Sequence, residues 1–308
     1  MAIVLQETLR GVFYAPFYAA LALGAYAREG VEVRLTSART PSDSARGLAD
    51  GTVDVTWGGP MRVMLTYEQD PTCDLVCFCE VVTRDPFFLV GPSPKPDFKL
   101  ADLMGKRVAT VSEVPTPWMC LQEDMRRVGL DPARLDRVAD QSMASNTAAL
   151  PRGEVDVVQL FQPFVEELIE SGAAHIWHAA AERGPTSYTT LYARRALLAE
   201  RRDECLALVR AIYRTLKWVH AGTGGQLAAA IADYFPDVPA QRLANALDRY
   251  KALGLWGRDP RLPKSGYERL RAGLVSGGLV KPGAPYETAV DNTLADRVIR
   301  EDPPALPA

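Results

Sequence analysis

Five aromatic side chains stand within about three residues of a proline that could begin a helix. Proline suits the first helical turn because its φ is already helical and its missing N–H would have no partner there. Free N–H groups and the positive end of the helix dipole would then lie beside flat apolar rings. These residue types predict a cleft for a small anionic aromatic or heteroaromatic molecule, whereas the alternative is that the rings only fill the core. The five are Phe13, Tyr14, Trp57, Trp118 and Phe161.

Each of these prolines follows a stretch with strand character. In an open parallel sheet the carboxyl ends of the strands line the ligand crevice, so four helix starts there predict one shared site. The four junctions are Ala15-Pro16, Gly59-Pro60, Thr116-Pro117 and Gln162-Pro163. The predicted ligand contacts are Phe13, Tyr14, Trp57, Gly58, Gly59, Arg84, Ser112, Glu113, Thr116, Trp118, Phe161 and Gln162.

Several of these residues also have a plain structural interpretation. Gly58 and Gly59 would let a ligand approach the backbone, although a tight strand-to-helix turn also calls for glycine. Arg84 could pair with a carboxylate or sulfonate, or it could be a surface charge at a hinge. Ser112 and Thr116 could supply hydroxyl donors, and Thr116 could equally be a helix N-cap.

The two indoles are expected to enclose the ligand from opposite sides. If Trp57 and Trp118 lie on different lobes, both approach the same molecule when the lobes close. Trp57→Ala is then expected to weaken ligand binding by ~1–3 kcal/mol with little change in the melting temperature.

The sequence offers little support for catalysis. Glu80, Glu113 and Glu166 could include a general acid–base pair, but no spacing rule supports one. Cys120 has no histidine nearby to activate it, and 175-His-Ile-Trp-His-178 has no further metal ligands beside it. We therefore predict no catalytic residue, no metal site and no cofactor.

Composition is that of a globular protein of two domains. The 308 residues are 47% hydrophobic and 24% charged, and a net charge of −3 gives no basic surface for nucleic acid. No window approaches the ~18 apolar residues that a membrane span needs, and Met1 runs directly into a strand without a leader. Five scattered cysteines favour a reducing compartment. The expected location is cytoplasmic as written, or periplasmic if a leader has been removed.

The order of elements predicts two discontinuous units. Alternating strands and helices fill the first 85 residues, Arg84-Asp85-Pro86 breaks the pattern, and a β-rich stretch returns at 187–193 before a mostly helical region. We expect residues 1–85 and 190–300 to form one lobe, residues 86–189 the other, and 301–308 a mobile tail. A helix over 42–50 and a turn over 281–285 are also predicted.

Several motifs together resemble those of a known family of binding proteins. The stretch 14–33 is similar to the family opening x-A-P-L-Y-x-A-x-x-x-G-x-F-x-x-E-G-L-x-V, and 54-Asp-Val-Thr-Trp-Gly-Gly-59, 103-Leu-Met-Gly-Lys-Arg-Val-Ala-109, 129-Gly-Leu-Asp-Pro-132 and 153-Gly-Glu-Val-Asp-Val-Val-158 follow in order. Over residues 5–295 the chain resembles type II periplasmic substrate-binding proteins that serve importers of sulfonates, nitrate and thiamine pyrimidine precursors.

The resemblance implies an α/β fold of two lobes with a helical C-terminal region. It further implies a monomer that closes a hinge over one small molecule and works with an ABC permease, without membrane insertion or nucleic acid.

Two departures bear on the ligand. Pyrimidine-binding members carry His before Ala-Pro, where this chain has Phe13-Tyr14, and the related synthase's cysteine cluster is represented only by Cys77 and Cys79. The alternative function is an enzyme of the same fold, such as a decarboxylase, a desulfinase or a thiamine-pyrimidine-synthase-like protein. A third possible function is that of a cytoplasmic ligand sensor, but this chain lacks any attached DNA-binding or signalling segment.

Overall fold

The computed structural model describes residues 1–40, 43–282 and 284–307. Ser42, Gly283 and Ala308, which belong to the predicted helix, turn and tail, lie outside the described residues. The strands are β1 (Ile3–Glu7), β2 (Val33–Ser37), β3 (Val55–Gly58), β4 (Leu75–Val82), β5 (Phe88–Gly91), β6 (Arg107–Ala109), β7 (Asp136–Val138), β8 (Val157–Leu160), β9 (His175–Ala179) and β10 (Thr189–Arg194).

The helices within the described ranges alternate with the strands and then dominate after β10. They are α1 (Ala15–Ala22), α2 (Ala25–Arg28), α3 (Asp43–Ala49), α4 (Pro60–Gln69), α5 (Thr116–Arg127), α6 (Met143–Ala149), α7 (Phe164–Glu170), α8 (Arg195–Glu200), α9 (Arg202–Ala221), α10 (Gly224–Ile231), α11 (Ala240–Ala252), α12 (Lys264–Ser276), α13 (Tyr286–Ala289) and α14 (Thr293–Glu301). Among the described residues, none of them combines the length and the apolar character needed to cross a membrane.

These strands form two sheets of five with the same internal plan. The first has the order β2-β1-β3-β10-β4 and the second β7-β6-β8-β5-β9. In each sheet, three neighbouring strands are parallel, and a fourth strand is antiparallel to both of its neighbours. This strand is β10, between β3 and β4, in the first sheet, and β5, between β8 and β9, in the second. We propose that these sheets are the cores of lobe 1 (residues 1–85 and 190–300) and lobe 2 (86–189).

Proline lies in the first helical turn at three of the four predicted junctions. Pro16, Pro60 and Pro117 lie in the first turns of α1, α4 and α5, and Pro163 directly precedes α7. All four helices follow strands of their own sheet, so their N-terminal ends gather at the carboxyl ends of those strands, as the sequence predicts.

The outer strand of the first sheet, β4, is covered rather than exposed. All eight of its residues are buried. The segment after α11 runs along its free edge, where the N–H of Glu80 donates to Pro260 O and the N–H of Gly257 donates to Val81 O, both at 2.9 Å. Covering an edge in this way satisfies backbone groups that would otherwise invite another strand.

The C-terminal end forms two short helices, and the residues after them differ from the expected mobile tail. α13 and α14 are separated at Val290, which bridges to Cys77 of β4. Beyond α14, Leu306 is buried and its N–H donates to Arg214 O at 3.3 Å. The Lys217 ammonium group donates to Pro303 O at 2.6 Å. These contacts favour an anchored tail over residues 301–307.

Candidate functional site

A small cavity lies between the two sheets at the carboxyl ends of their strands. Its volume is about 50 Å³, well below the range of about 300–1,000 Å³ typical of sites for small molecules. A ligand of several heavy atoms therefore enters only if the lobes or the lining side chains move. The lining residues of this cleft cavity are Thr8, Leu9, Phe13, Tyr14, Gly59, Met61, Arg62, Phe87, Val114, Thr116, Tyr188 and Tyr192.

Aromatic rings connect the two sides of the cleft cavity. The ring centroid of Phe13 is 4.2 Å from that of Tyr14, 5.1 Å from that of Phe161 and 6.4 Å from that of Tyr188. Phe87, directly before β5, meets Phe161 edge to face at 5.2 Å. Edge-to-face contacts leave ring faces available, and such faces suit a flat apolar group.

Four of the predicted contact residues line the cleft cavity, and two others, Phe161 and Gly58, lie close to it. Phe13, Tyr14, Gly59 and Thr116 line it, and Phe161 packs on Phe13 without being part of the lining. The backbone at Gly59 does approach closely, but to the protein itself, because a Cβ there would stand 3.3 Å from Tyr188 O. At Gly58 a Cβ would stand 3.0 Å from the Thr8 side chain.

The predicted pair of indoles does not form. Trp57 has no exposed surface and stacks on Phe17 of α1 at a centroid distance of 4.8 Å and an angle of 7°. Trp118 packs into the hydrophobic core beside the second sheet, where the Arg137 guanidinium lies 4.3 Å above its ring. Each indole faces the interior between a helix and its sheet, so neither lines the cleft cavity.

The remaining predicted residues make contacts within the protein. Arg84 donates to Ala181 O at 3.2 Å, away from the cleft. Glu113 accepts from the N–H of Met143 at 2.9 Å and so caps α6, beside the exposed Ser112. The buried Gln162 side chain accepts from the N–H of Glu166 and donates to its carboxylate, both at 3.0 Å.

Sequence reasoning missed the one guanidinium in the lining. Arg62 is the third residue of α4, is half-buried, and its guanidinium makes no ion pair or hydrogen bond within the ranges described. The signal was present, because Arg62 follows Gly59-Pro60 within the first turn of a helix that starts at the cleft. Sequence reasoning also missed Tyr188 and Tyr192, which β10 brings back from far along the chain.

The polar side chains of the cleft cavity can all donate hydrogen bonds. Burial raises the pKa of Tyr14 to about 12, only partly offset by Thr8, whose hydroxyl lies 3.4 Å from the phenol. Burial likewise raises the pKa of Tyr188, whose buried hydroxyl has no partner among the described residues. Both phenols therefore keep their protons at neutral pH. With Arg62 beside them and no carboxylate in the lining, the cavity favours an anionic or acceptor-rich ligand.

The groups considered for catalysis do not converge on this cavity. Glu166 pairs with Arg249 at 2.5 Å, and Glu80 lies elsewhere, beneath the segment that covers β4. No cysteine is among the lining residues, and burial raises the pKa of Cys120 to about 12. Within the described part of the chain, no group of three or more His, Cys, Asp or Glu side chains could hold a metal ion.

Solved structures share this architecture over nearly the whole chain. SsuA, a sulfonate-binding protein of Methylobacillus flagellatus KT, superposes with a TM-score of 0.78 at 15% identity, covering 98% of this chain and 94% of its own. The desulfurization enzyme DSZB superposes with a TM-score of 0.68 at 15% identity, covering 98% and 100%. The predicted fold class, a two-lobed type II periplasmic-binding-protein-like fold with a helical C-terminal region, is confirmed.

Comparison with known protein sequences identifies a relative and a family. YtlA of Bacillus subtilis (strain 168), to which a binding role is ascribed, is 25% identical over 96% of this chain and 89% of its own length. The model of the NMT1/THI5-like family matches residues 13–222, which include β10, α4 and most of the cleft lining. The chain belongs to the NMT1/THI5-like family.

Proposed function

We propose that this protein binds a small organic anion in the cleft cavity and delivers it as the substrate-binding component of an ABC-type importer. The observation that carries the proposal is Arg62, whose guanidinium is unpaired among the described residues and lies beside a cavity that no carboxylate lines. The apolar rings around it favour an aromatic or heteroaromatic body with a sulfonate or carboxylate group. SsuA, of the same fold, is a sulfonate-binding protein, and YtlA carries a binding role.

The alternative, an enzyme of the same fold, has less support from the cavity. DSZB shows that the fold is found in an enzyme. Among the lining residues here, however, there is no thiol and no carboxylate that could act as a nucleophile or a general base. The arrangement of hydrogen-bond donors around an apolar space suits ligand binding better than catalysis.

Replacing Arg62 tests the proposed anion contact. Benzenesulfonate and benzoate serve as probes, with the neutral benzenesulfonamide for comparison, and calorimetry measures the affinity. Arg62→Met is expected to weaken binding of the anions by about tenfold to a hundredfold, since a hydrogen bond to a charged group is lost. The melting temperature of the free protein should stay nearly unchanged, because the Arg62 guanidinium has no ion pair or hydrogen bond to lose among the residues that the structure describes.

The matched control is Arg34→Met, at an exposed position of β2. It removes the same charge from lobe 1 without touching the cleft, so it should bind the anions as the wild type does. Equal affinity of Arg62→Met and wild type for both anions would show that the anion is held elsewhere.

Two sets of contacts join the lobes on either side of the cleft. On α11, Arg249 pairs with Glu166 at 2.5 Å and Tyr250 accepts from the N–H of Gln162 at 3.0 Å. On α12, Ser276 accepts from Arg126 of α5 at 2.9 Å. We infer that this is a closed arrangement, and that a ligand enters when the lobes separate about the crossing segments near residues 83–86 and 185–188.

Small-angle scattering tests the hinge. Saturation with a probe that binds in calorimetry is expected to lower the radius of gyration of the free protein, because the closed state makes contacts with ligand that the open state lacks. The Arg62→Met variant at the same probe concentration should show a smaller change. An unchanged radius of gyration at saturation would contradict hinge closure.

A further inference from the structure

A contact between α5 and α12 joins the two proposed lobes away from the cleft cavity. In the proposed division, α5 belongs to lobe 2 and α12 to lobe 1. Cys120 and the partly buried Met119 of α5 pack into a hydrophobic cluster whose other members come from residues 1–85 and 190–300. We call this contact the seam. It inserts side chains of one proposed lobe into the core of the other.

Glycine on one face of α12 makes this close approach possible. Gly273 and Gly277 are four positions apart, so they lie on the same side of the end of the helix. A Cβ at Gly273 would stand 3.4 Å from both the Cα and the Sγ of Cys120. A Cβ at Gly277 would collide with Met119 Sδ and stand 3.2 Å from Gln122 Nε2. A side chain longer than that of alanine at Gly273 therefore has little room unless α5 moves away.

The contacts of the seam are of a kind that can be released. At its far end the exposed Arg126 donates to Ser276 Oγ at 2.9 Å, and water replaces most of the stabilisation from such a bond when it breaks. The fit of Cys120 and Met119 against the glycines is lost once the helices separate, because dispersion falls off steeply with distance. Packed interfaces have discrete arrangements rather than a continuum of them. The seam is therefore suited to a switch between a closed and a released state.

The two helices of the seam also reach the cleft cavity and the crossing segment. Thr116, the first residue of α5, lines the cleft cavity about one helical turn before Cys120. Near the start of α12, Gly266 O accepts from the N–H of Ser187 at 3.1 Å, and Ser187 lies in the crossing segment 185–188. Movement of α5 away from the end of α12 therefore withdraws Thr116 from the side of the cavity that holds Arg62.

We propose that the seam is the latch of the closed state: α5 docks on the glycine face of α12 when the lobes close and leaves it when they open. This inference rests on the proposed function in one respect, that the lobes separate to admit a ligand. It adds that the approach of α5 to Gly273, a residue outside the cleft lining, sets the balance between the open and closed states. The alternative is a permanent contact about which the lobes turn.

Gly273→Cys provides a reversible lock on the seam. Its Cβ would lie 3.4 Å from Cys120 Sγ, and a disulfide needs Cβ atoms about 3.5–4.5 Å apart, so the two thiols are placed to form one. Small-angle scattering then compares the oxidised and reduced forms without ligand. We expect the oxidised form to have the smaller radius of gyration and to bind benzoate at least about tenfold more slowly, because the cleft cavity cannot open. Reduction should restore both values, and the wild type treated with the same reagents is the control.

Gly273→Leu makes the opposite change and needs no disulfide. Leucine should hold α5 away from α12, raise the radius of gyration of the free protein and weaken the binding of benzoate about tenfold, since the closed state is penalised. Gly273→Ala adds only the Cβ for which there is space and should have a smaller effect. Gly225→Leu, at an exposed position of α10, should leave the radius of gyration and the affinity unchanged.

The lock decides the matter even if Gly273→Leu does not fold. Equal radii of gyration for oxidised and reduced Gly273→Cys would overturn the latch and make the seam a permanent pivot. Failure of the two thiols to form a disulfide would also overturn it, because Cys120 would not lie against Gly273. A protein that the lock compacts, but that binds neither benzoate nor benzenesulfonate when reduced, would support the latch and contradict the proposed ligand.

Discussion

Glu80→Gln is expected to make the protein more stable at alkaline pH, with a gain on the order of 3–5 kcal/mol in the free energy of unfolding. In the folded chain, burial raises the pKa of Glu80 from 4.5 to about 8. Between those values the folded state holds a proton that the unfolded state has lost. The wild-type stability therefore falls as pH rises through this window, whereas glutamine has no proton to lose.

Chemical denaturation at a series of pH values from about 5 to about 9 measures this difference. The two proteins should be nearly equal at the acidic end and diverge progressively towards pH ~8, where the loss is complete. Glu32→Gln, at an exposed position, is the matched control and should follow the wild type. Parallel stability curves for Glu80→Gln and wild type would show that Glu80 is not desolvated as the structure has it.

Other titratable and charged groups near Glu80 act in both proteins and cancel in the comparison. Burial lowers the pKa of His220, which makes stability rise with pH in the neutral range and would mask part of the Glu80 effect in the wild type alone. The difference between variant and wild type isolates Glu80. Ser187, Asp259, Cys77, Cys79 and Tyr286 interact with Glu80, and the titratable or charged residues that line a cavity together with Glu80 are Arg84, His220, Lys251, Arg258 and Arg261.

Trp57→Ala is expected to lower the free energy of unfolding by about 3–5 kcal/mol, the usual loss for a fully buried large aromatic side chain. The indole is stacked on Phe17 and meets Tyr18 edge to face at 5.6 Å, so its removal leaves a cavity that α1 and β3 cannot close. This result reverses the expectation drawn from the sequence, in which Trp57 contacts the ligand and contributes little to stability.

Thermal and chemical unfolding of Trp57→Ala measure the loss, and Trp218→Ala is a suitable control. Trp218 is only partly buried, so the same truncation there should cost less. Arg62→Met should show the opposite pattern, with affinity lost and stability kept. If the Trp57→Ala protein unfolds like the wild type but binds anions weakly, then Trp57 contacts the ligand, as the sequence predicts.

The amino-acid sequence by itself determined the fold class and the gathering of helix starts at one edge of each sheet. Alternating strand and helix patterns, with proline at the first helical turns, are local signals, and Pro16, Pro60 and Pro117 do begin helices. Because those helices follow parallel strands, their starts gather at one edge of each sheet. Phe13 and Tyr14 line the cavity for that reason.

Only the tertiary structure decided which side chains face the cleft cavity and which face the core. Trp57 and Arg62 stand five positions apart around the same helix start, yet the indole packs inward on α1 while the guanidinium lies beside the cavity. β10 inserts between β3 and β4 and so brings Tyr188 and Tyr192 to the cleft, and the segment after α11 covers Glu80. The local pattern of residues indicates where a helix or a strand begins. Which side chains are buried, and which polar groups are left without a partner, depends on contacts between distant segments of the chain.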